Sequence, residues 1–341
     1  MNNNVNTAEL DPRFRFIDHD DIESERIVAP RYSYWKSVFR VFFRKKINIF
    51  MIVLFALILI ASFIFPLFMP YVAEENIMDS KTLNKSPSQA IDYMLEKAEA
   101  EAAANGTKLT AMKKAEITFK YALGTGAQGN SIMYNLFSAS RISILLAVIC
   151  AAINMTVGVI IGAIWGYSKK FDAVMLVIYN ILANVPYILM ISVLVYVIGS
   201  GFWSFVFALT VTGWLWIAYF LRTQVMIIRD REYSLASRCL GTPIPRVISK
   251  NILPFMTSVI VTMLATELPS YISMEVFLSY IGIGLSASVP SLGRMINSGQ
   301  SGFLNMPWMF WPPVIIASAI TIILYVLGQN LADASDPRTH M

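Results

Sequence analysis

The segment RTQVMIIRDREYSLASRCLGTPIPRVISKNILP, residues 222–254, is a polar, arginine-rich stretch between two long apolar runs. Each run reaches the length of about 20 residues that a membrane-spanning helix needs. Because an Arg or Lys at the centre of a bilayer costs at least about 2.5 kcal/mol, the segment is predicted to lie in water. It is therefore predicted to be a loop between two spans that meets a soluble partner.

The composition indicates a polytopic membrane protein. Of the 341 residues, 56% are hydrophobic and only 14% are charged, and the mean hydropathy is +0.57. Soluble domains contain about 45–50% apolar and about 25% charged residues. The two cysteines, Cys150 and Cys239, lie in an apolar run and in the polar segment, so no disulfide framework is predicted.

Six apolar runs are predicted to cross the membrane, which predicts an all-α polytopic fold with six transmembrane helices. The runs cover residues 47–70, about 142–165, 174–198, 202–221, 255–283 and 308–327. Before the first run, residues 31–46 place apolar side chains on one helical face and basic ones on the other. This pattern predicts an amphipathic helix at the membrane surface; the alternative is a basic flank that only orients the first span.

The lysines and arginines outside the runs predict the orientation of the chain. They cluster before the first run, between the second and third, and between the fourth and fifth, whereas the opposite short loops contain only Arg294. Since basic residues are enriched in cytoplasmic loops, the N-terminal tail and surface helix (1–46), the segment 222–254 and the tail 332–341 are predicted to be cytoplasmic. Residues 1–30 show no cleavable signal peptide.

Residues 71–136 form a long hydrophilic stretch that the orientation places outside the cell. Ser86, Pro87 and Gln89 form a capping box that predicts a helix ending at Asn105 and Gly106. A second helix is predicted from about Ala111 to near Gly124. This insert either contacts a substrate-delivering partner or serves as a solvated spacer.

Gly124, Gly126 and Gly129 match the dinucleotide-binding pattern G-x-G-x-x-G. We interpret them as turn residues, because no strand precedes them and a membrane span follows where a βαβ unit would continue. The remaining core, residues 137–331, contains five of the six predicted helices.

Four polar or helix-breaking residues within the spans are candidates for lining a translocation pathway. Glu267 and Glu275 are carboxylates at membrane depth, where charged groups face a bundle interior or a water-filled cavity. An offset of eight residues would place both on one side of a passage; a hydrogen-bonded structural role is the alternative for each. Asn184 and Pro186 are predicted to bend the third span, for pathway lining or for packing.

The chain contains no signature of an enzyme. No Gly is followed by Lys, so the phosphate-binding loop of ATPases is absent, and neither a hydrolase motif nor a cluster of metal ligands occurs. No catalytic or metal-binding residue is therefore predicted. Six spans with one large cytoplasmic loop favour a transport subunit that another protein drives. An ion-coupled carrier or channel that relays protons through Glu267 and Glu275 is one alternative, and a peptide-sensing scaffold is another.

Within the polar segment, residues 231–240 have the length of a short helix, which Gly241 and two following prolines would end. Tyr233, Ala236 and Leu240, with Leu235 beside them, predict a modest apolar stripe. Such a helix can dock in a groove of a partner; an ordinary solvated loop is the alternative.

The segment EYSLASRCLG at 232–241, followed by KNILP at 250–254, resembles the E-A-A loop of permease subunits of binding-protein-dependent ABC importers. SRISIL at 140–145, EVFLSYIGIGL at 275–285, PSLGRMI at 290–296 and LADASDPR at 331–338 extend this resemblance over residues 123–338. The pattern is most similar to the second permease of oligopeptide and dipeptide importers, particularly those of Gram-positive bacteria.

Two motifs differ from the family pattern. In the loop motif, Leu235 replaces the first acidic residue and Ser237 replaces the second alanine. In the outer motif G-T-D-x-x-G-R-D, Gly126, Asn130 and Ser131 stand where Asp, Arg and Asp are usual.

The resemblance implies a type I ABC importer permease fold in a bacterial plasma membrane. It implies a second homologous permease, two ATP-binding subunits that hold ATP and Mg, an extracytoplasmic peptide-binding lipoprotein and no nucleic acid. An oligopeptide substrate is expected, although dipeptide, nickel-chelate and opine importers share these motifs. The residues that it assigns to coupling with the ATPases are Glu232, Tyr233, Leu235, Ala236, Ser237, Arg238 and Gly241.

Overall fold

The computed structural model describes residues 33–68, 80–286 and 288–336. Within these ranges the chain forms α-helices and short 3-10 and π turns, with a single isolated β-bridge between Thr125 and Ser131. The predicted all-α class is confirmed. The predicted N-terminal tail before residue 33, the end of the first span after residue 68 and the last five residues of the C-terminal tail lie outside the described residues.

The helices are, in chain order, α1 (Tyr34–Arg44), α2 (Lys46–Phe68), α3 (Pro87–Ala104), α4 (Ala111–Lys120), α5 (Ile132–Tyr167), α6 (Lys169–Ala183), α7 (Tyr187–Ile198), α8 (Phe202–Thr210), α9 (Trp214–Arg229), α10 (Glu232–Cys239), α11 (Ile244–Arg246), α12 (Thr257–Tyr280), α13 (Leu292–Gly299) and α14 (Pro307–Ser335). A π-helical turn, Val247–Ile252, and a 3-10 turn, Leu253–Met256, join α11 to α12.

The six predicted spans correspond to these helices. Five segments are long and apolar enough to cross a membrane: α2, α5, α8 with α9, α11 through α12, and α14. The third predicted span is the pair α6 and α7, which bends by 81° at residues 184–186. Pro186 has no backbone N–H to continue the helix, so the predicted bend is confirmed and the break is sharper than a kink.

Helix α5 begins ten residues before the apolar run that predicted it, at Ile132 instead of about residue 142. The added turns contain Asn135, Ser138 and Ser140, which are polar but buried against the neighbouring helices. Their low hydropathy hid them from a search for apolar runs. The helix of 36 residues is about 54 Å long.

A glycine seam fixes the central pair of helices, α5 and α9. Gly158, Gly162 and Gly166 recur every fourth residue along α5 and face α9. A Cβ added at Gly162 would lie 2.7 Å from the Ala218 carbonyl oxygen, and one at Gly166 would lie 2.6 Å from that of Arg222. Small residues at this spacing let two helix backbones approach closely in a membrane, where no hydrophobic effect drives helix association.

Helices α12, α13 and α14 close the bundle around α5. A Cβ added at Gly328 of α14 would lie 2.6 Å from the backbone oxygen of Ala265 in α12, so this pair is also in close contact. The main core is formed by buried side chains of α5, α7, α8, α12, α13 and α14. A second cluster, around Ile217, Leu221 and Val225, joins α5 and α9 to the turns before α12.

Helix α1 has two apolar faces, although the sequence predicts one. Val38 and Phe42 are buried against Ala334 of α14, and the Tyr34 hydroxyl donates to the Ser335 carbonyl oxygen at 2.8 Å. The other face presents aromatic side chains away from the bundle, namely Trp35, Phe39 and Phe43. Helix α1 is therefore attached to the protein along one side.

The outer insert follows its capping signals. Helix α3 starts at Pro87 with a hydrogen bond of 3.3 Å from the Ser86 N–H to Gln89 Oε1, and it ends before Gly106, which has a φ of +69°. The loop that follows α4 contains Gly124 and Gly129 at positive φ and leads into α5, so the interpretation of these two glycines as turn residues is confirmed. Gly126 lies in the same loop without a positive φ. Ser131 caps α5 and donates to the Lys120 carbonyl oxygen.

Candidate functional site

Helix α10 is a short helix at the end of the bundle where α5 and α9 finish. Its end is set by Gly241, which has a φ of +75°. The Gly241 N–H donates to the Arg238 carbonyl oxygen at 2.9 Å, and the Thr242 N–H donates to that of Ser237 at 3.1 Å. This pair of bonds is the Schellman arrangement, in which glycine adopts the left-handed conformation without a steric penalty. The predicted helix end is confirmed.

The outward face of α10 consists of Glu232, Leu235, Ala236, Cys239 and Leu240, all of which are exposed. Their spacing of i, i+3, i+4, i+7 and i+8 places them on one side of the helix. We call these five residues the α10 stripe. Leu235 is 43% exposed and Leu240 is 86% exposed, and a helix with such an apolar face can anchor in a groove of a partner.

Tyr233 does not belong to the α10 stripe, although the sequence predicts it there. Its ring packs against the ring of Phe255, with centroids 5.0 Å apart, and it is half-buried. Ser234, next to it, is fully buried and donates from its hydroxyl to the Ile228 carbonyl oxygen at 3.2 Å. These two residues form the inner face that holds α10 to the bundle.

Ser237 connects α10 to the segment that leads into α12. The Asn251 side-chain amide donates to Ser237 Oγ at 2.5 Å, and the Ser237 hydroxyl donates to the Tyr233 carbonyl oxygen at 3.0 Å. Asn251 lies in the π-helical turn Val247–Ile252, and such turns often occur at functional sites. The serine that replaces alanine in the family pattern thus joins the two halves of the 222–254 segment.

Two arginines attach the stem of this segment to the end of α5. Arg229 is buried and donates from Nη1 to the Gly166 carbonyl oxygen at 2.9 Å, and its Nε lies 3.0 Å from Asp230 Oδ1. The Arg229 guanidinium holds the pKa of the Asp230 carboxyl below its ordinary value. The guanidinium carbon of Arg238 lies 5.8 Å from the ring centroid of Tyr167, which is cation–π distance.

Arg222 is also enclosed by its neighbours. Its guanidinium pairs with Asp172 of α6 and lies 5.7 Å from the ring centroids of both Trp165 and Tyr219. The Trp165 indole N–H donates to the same carboxylate at 2.8 Å. The first eight residues of 222–254 continue α9 instead of forming a loop, and the expectation that the segment lies in water stays a prediction. A carboxylate and two aromatic rings surround Arg222 at this end of α9.

Glu267 lines a cavity of about 480 Å³ between the bend of α6 and α7 and the junction of α8 and α9. Tyr271, one helical turn after Glu267, lines the same cavity. The Asn154 side-chain amide donates to the Tyr271 oxygen at 2.5 Å. The predicted placement of Glu267 toward the interior thus agrees with the structure, and its role in a pathway stays a prediction.

The other three predicted pathway residues lie in different surroundings. Pro186 lines the same cavity as Glu267, whereas Asn184 ends α6 and donates from its side chain to the Asn180 carbonyl oxygen at 2.5 Å. Glu275 is 0% exposed and does not line the cavity that Glu267 and Pro186 share. The structure does not bring the two carboxylates to one passage, and for Glu275 it favours the structural alternative.

Glu275 is the centre of a buried polar cluster that joins three helices. Its carboxylate accepts from the hydroxyls of Ser143 in α5 at 2.8 Å and Ser279 in α12 at 2.9 Å. The Ser143 oxygen also accepts from the Leu292 N–H at the start of α13 at 3.1 Å, which joins the third helix to the cluster. Hydrogen-bond donors of this kind are what a buried carboxylate requires. We call these residues the Glu275 cluster.

Sequence reasoning missed the serines and the cavity tyrosines as members of a site. Ser143 and Ser279 lie in two separate motifs of the family resemblance, SRISIL and EVFLSYIGIGL, and their place in those motifs was the available signal. Tyr187, Tyr271 and Thr212 carried no signal, because a single aromatic or hydroxyl residue in an apolar run is ordinary.

Comparison with known proteins gives consistent matches. The model of the family described as binding-protein-dependent transport system inner membrane component matches residues 158–341. The model described as the N-terminal TM domain of oligopeptide transport permease C matches residues 33–87. The first match covers the permease core from the last ten residues of α5 onward. The second match covers α1 and α2 and ends at the first residue of α3.

Three curated relatives are similar to this chain. The oligopeptide transport system permease protein AmiD of Streptococcus pneumoniae is 41% identical over 328 residues, which cover 96% of this chain and 97% of the relative. The oligopeptide permease OppC of Bacillus subtilis is 37% identical over 219 residues, 63% of this chain and 71% of the relative. The dipeptide permease DppC of the same organism is 36% identical over 219 residues, 63% of this chain and 68% of the relative.

Proposed function

This chain belongs to the family of binding-protein-dependent transport system inner membrane components, and from that membership we propose that it is a permease subunit of an ATP-driven oligopeptide importer. The observation that carries the proposal is the similarity to AmiD, which extends over 96% of this chain and includes the outer insert. The matches to dipeptide permeases cover less of the chain or are less similar, so oligopeptide is the substrate class that we assign.

We assign half of the translocation pathway to this chain and the other half to a second homologous permease. Two ATP-binding subunits would hold ATP and Mg, and an extracytoplasmic peptide-binding lipoprotein would deliver peptide. The basic residues at the α10 end support a cytoplasmic location for that end and for both termini in a bacterial plasma membrane. Helices α3 and α4 would then face the lipoprotein.

Helix α10 is proposed to couple the permease to an ATP-binding subunit. The α10 stripe supplies an apolar anchor on a helix whose inner face is attached through Tyr233, Ser237 and Arg238. When ATP closes the two ATP-binding subunits, a docked α10 would move with its groove, and α9 would transmit the motion to α5 through the glycine seam. Because interfaces switch between discrete packings, a small displacement can reorient the pathway as a rigid body.

The test is reconstitution of the chain with its genomic partners in lipid vesicles. We expect ATP-dependent uptake of a labelled oligopeptide only when the second permease, both ATP-binding subunits and the lipoprotein are present. Affinity purification through this chain should recover the second permease and the ATP-binding subunits. Uptake by this chain alone, driven by a proton gradient, would contradict the proposal and favour the ion-coupled carrier.

A further inference from the structure

The cavity of about 480 Å³ lies beside a broken membrane span and a turn in the next span. The broken span has the 81° bend between α6 and α7, and the turn is at residues 211–213, where α8 continues into α9 within one candidate span. Irregular backbone at membrane depth is tolerated only where protein buries it or where it lines a cavity. In secondary transporters, substrate sites are typically formed by discontinuous helices.

The freed backbone around the cavity is bonded by side chains. The carbonyl oxygen of Leu209, in the last turn of α8, accepts from the Tyr187 hydroxyl at 3.0 Å and from the Asn154 amide at 3.3 Å. These bonds join α7 and α5 to the last turn of α8 beside the cavity. The cavity is therefore a built feature of the fold.

The lining has one charge, the Glu267 carboxylate, among apolar and aromatic side chains. No Lys, Arg or His lines the cavity, and no basic residue within the described ranges forms an ion pair with Glu267. A carboxylate in an apolar surrounding favours a cationic ligand, and aromatic rings add cation–π attraction. The rings that line the cavity belong to Tyr179, Tyr187, Trp216 and Tyr271.

Thr212 provides a second polar group at the cavity. It lines the cavity from the turn between α8 and α9, and its Oγ1 is buried with no hydrogen-bond partner in the described part of the chain. A hydroxyl oxygen accepts hydrogen bonds, so Glu267 and Thr212 together offer acceptors to one donor-rich group. An ammonium group carries three N–H donors and no acceptor, which fits this pair.

We propose that the cavity binds the free α-ammonium group of a peptide in transit, with Glu267 as its counter-ion and Thr212 as a second acceptor. The proposal rests on the proposed function, which makes a peptide the solute that passes this chain. The volume lies within the range of about 300–1,000 Å³ that is typical of small-ligand sites, so the cavity can take the first residue together with its terminus.

The experiment compares uptake of trialanine and N-acetyl-trialanine by the assembled transporter, with this chain as wild type, Glu267→Gln or Thr212→Val. Glu267→Gln keeps the side-chain shape and removes the charge. We expect it to raise the KM for trialanine at least about tenfold, since a charge-assisted hydrogen bond is lost. The KM for the acetylated peptide should change less than about twofold. Thr212→Val should also raise the KM for trialanine more than the KM for the acetylated peptide, but by a smaller factor than Glu267→Gln.

The lipoprotein is the same in every complex. Its own preference for a free terminus therefore cancels when the KM of a variant is divided by the wild-type KM for the same peptide. Thr262→Val is the matched control, because its hydroxyl bonds only to the Ser258 carbonyl oxygen of its own helix. An equal change for both peptides in Glu267→Gln, or none for either, would overturn the proposal.

A third substrate, acetylated Ala-Lys-Ala, separates the terminus from a side-chain ammonium. If Glu267→Gln weakened its uptake as much as that of trialanine, the assignment to the peptide terminus would be wrong. Failure of the proposed function has a different signature, since the wild-type complex would then transport neither alanine peptide.

Discussion

The hydroxyl of Ser143 donates to the carboxylate of Glu275 at 2.8 Å, across a separation of 132 residues in the chain. The same serine oxygen accepts from the Leu292 N–H at 3.1 Å. One side chain of α5 therefore bonds to α12 and α13 at once. Because both groups are fully buried, their bonds are made where water cannot replace them.

Ser143→Ala should destabilise the chain by about 1–3 kcal/mol, because it leaves a buried carboxylate and a buried N–H each short of a partner. The measurement is thermal unfolding of the purified chain in detergent. Ser140→Ala is the matched control, since Ser140 is equally buried on the same helix but donates only to the Leu136 carbonyl oxygen one turn away. Equal effects of the two substitutions would show that the Glu275 cluster has no special contribution.

Gly241→Val should uncouple ATP hydrolysis from peptide uptake while the chain still reaches the membrane. A Cβ at Gly241 would meet nothing within 4 Å, so the cost of about 1–2 kcal/mol comes only from the φ of +75°. Gly241→Asn should keep most of the uptake, because Asn tolerates this conformation. Gly106→Val strains a similar backbone in the outer insert and should leave coupling intact. Normal uptake with Gly241→Val would contradict the coupling role of α10.

Leu240→Ser should weaken binding of the ATP-binding subunits by about 5- to 30-fold, which corresponds to about 1–2 kcal/mol for an apolar anchor. Binding is measured by titration of purified ATP-binding subunits onto the permease pair in nanodiscs. Met112→Ser is the matched control, since Met112 and Leu240 are each 86% exposed and Met112 lies on the outer insert. Similar affinity for the two variants would exclude the α10 stripe as the anchor.

Ser237→Ala and Asn251→Ala should each reduce peptide-stimulated ATPase activity, and the double variant should be little worse than either single one. The two side chains share a hydrogen bond of 2.5 Å, so removal of either partner removes the same connection. A double-mutant cycle measures this coupling directly. Additive losses would show that the bond does not link α10 to the π-helical turn.

Most of the membrane fold could be predicted from hydropathy and local signals. The spans, the capping box at Ser86 and the helix end at Gly241 depend on residues near each other in the chain, and the structure agrees with them. The start of α5 at Ile132 could not be predicted in this way. Its first turns contain polar residues that become buried only when α12 and α13 pack against them.

The candidate site was predictable in part. The exposure of Leu235, Ala236 and Leu240 follows from helical spacing, but the inward turn of Tyr233 depends on Phe255, which lies 22 positions later. For the pathway, the inward placement of Glu267 and Glu275 followed from the cost of exposing a carboxylate to lipid. That cost did not decide which of the two carboxylates would line a cavity.

The sequence alone determined which segments lie in the membrane, where helices begin and end, and which family the chain resembles, because these depend on local composition, backbone preference and motif order. Only the tertiary structure decided that Glu275 is bonded to Ser143 of another motif while Glu267 faces a cavity beside the broken span of α6 and α7. Hydrogen bonds and close packing between distant segments make that distinction, and they exist only after the helices have assembled.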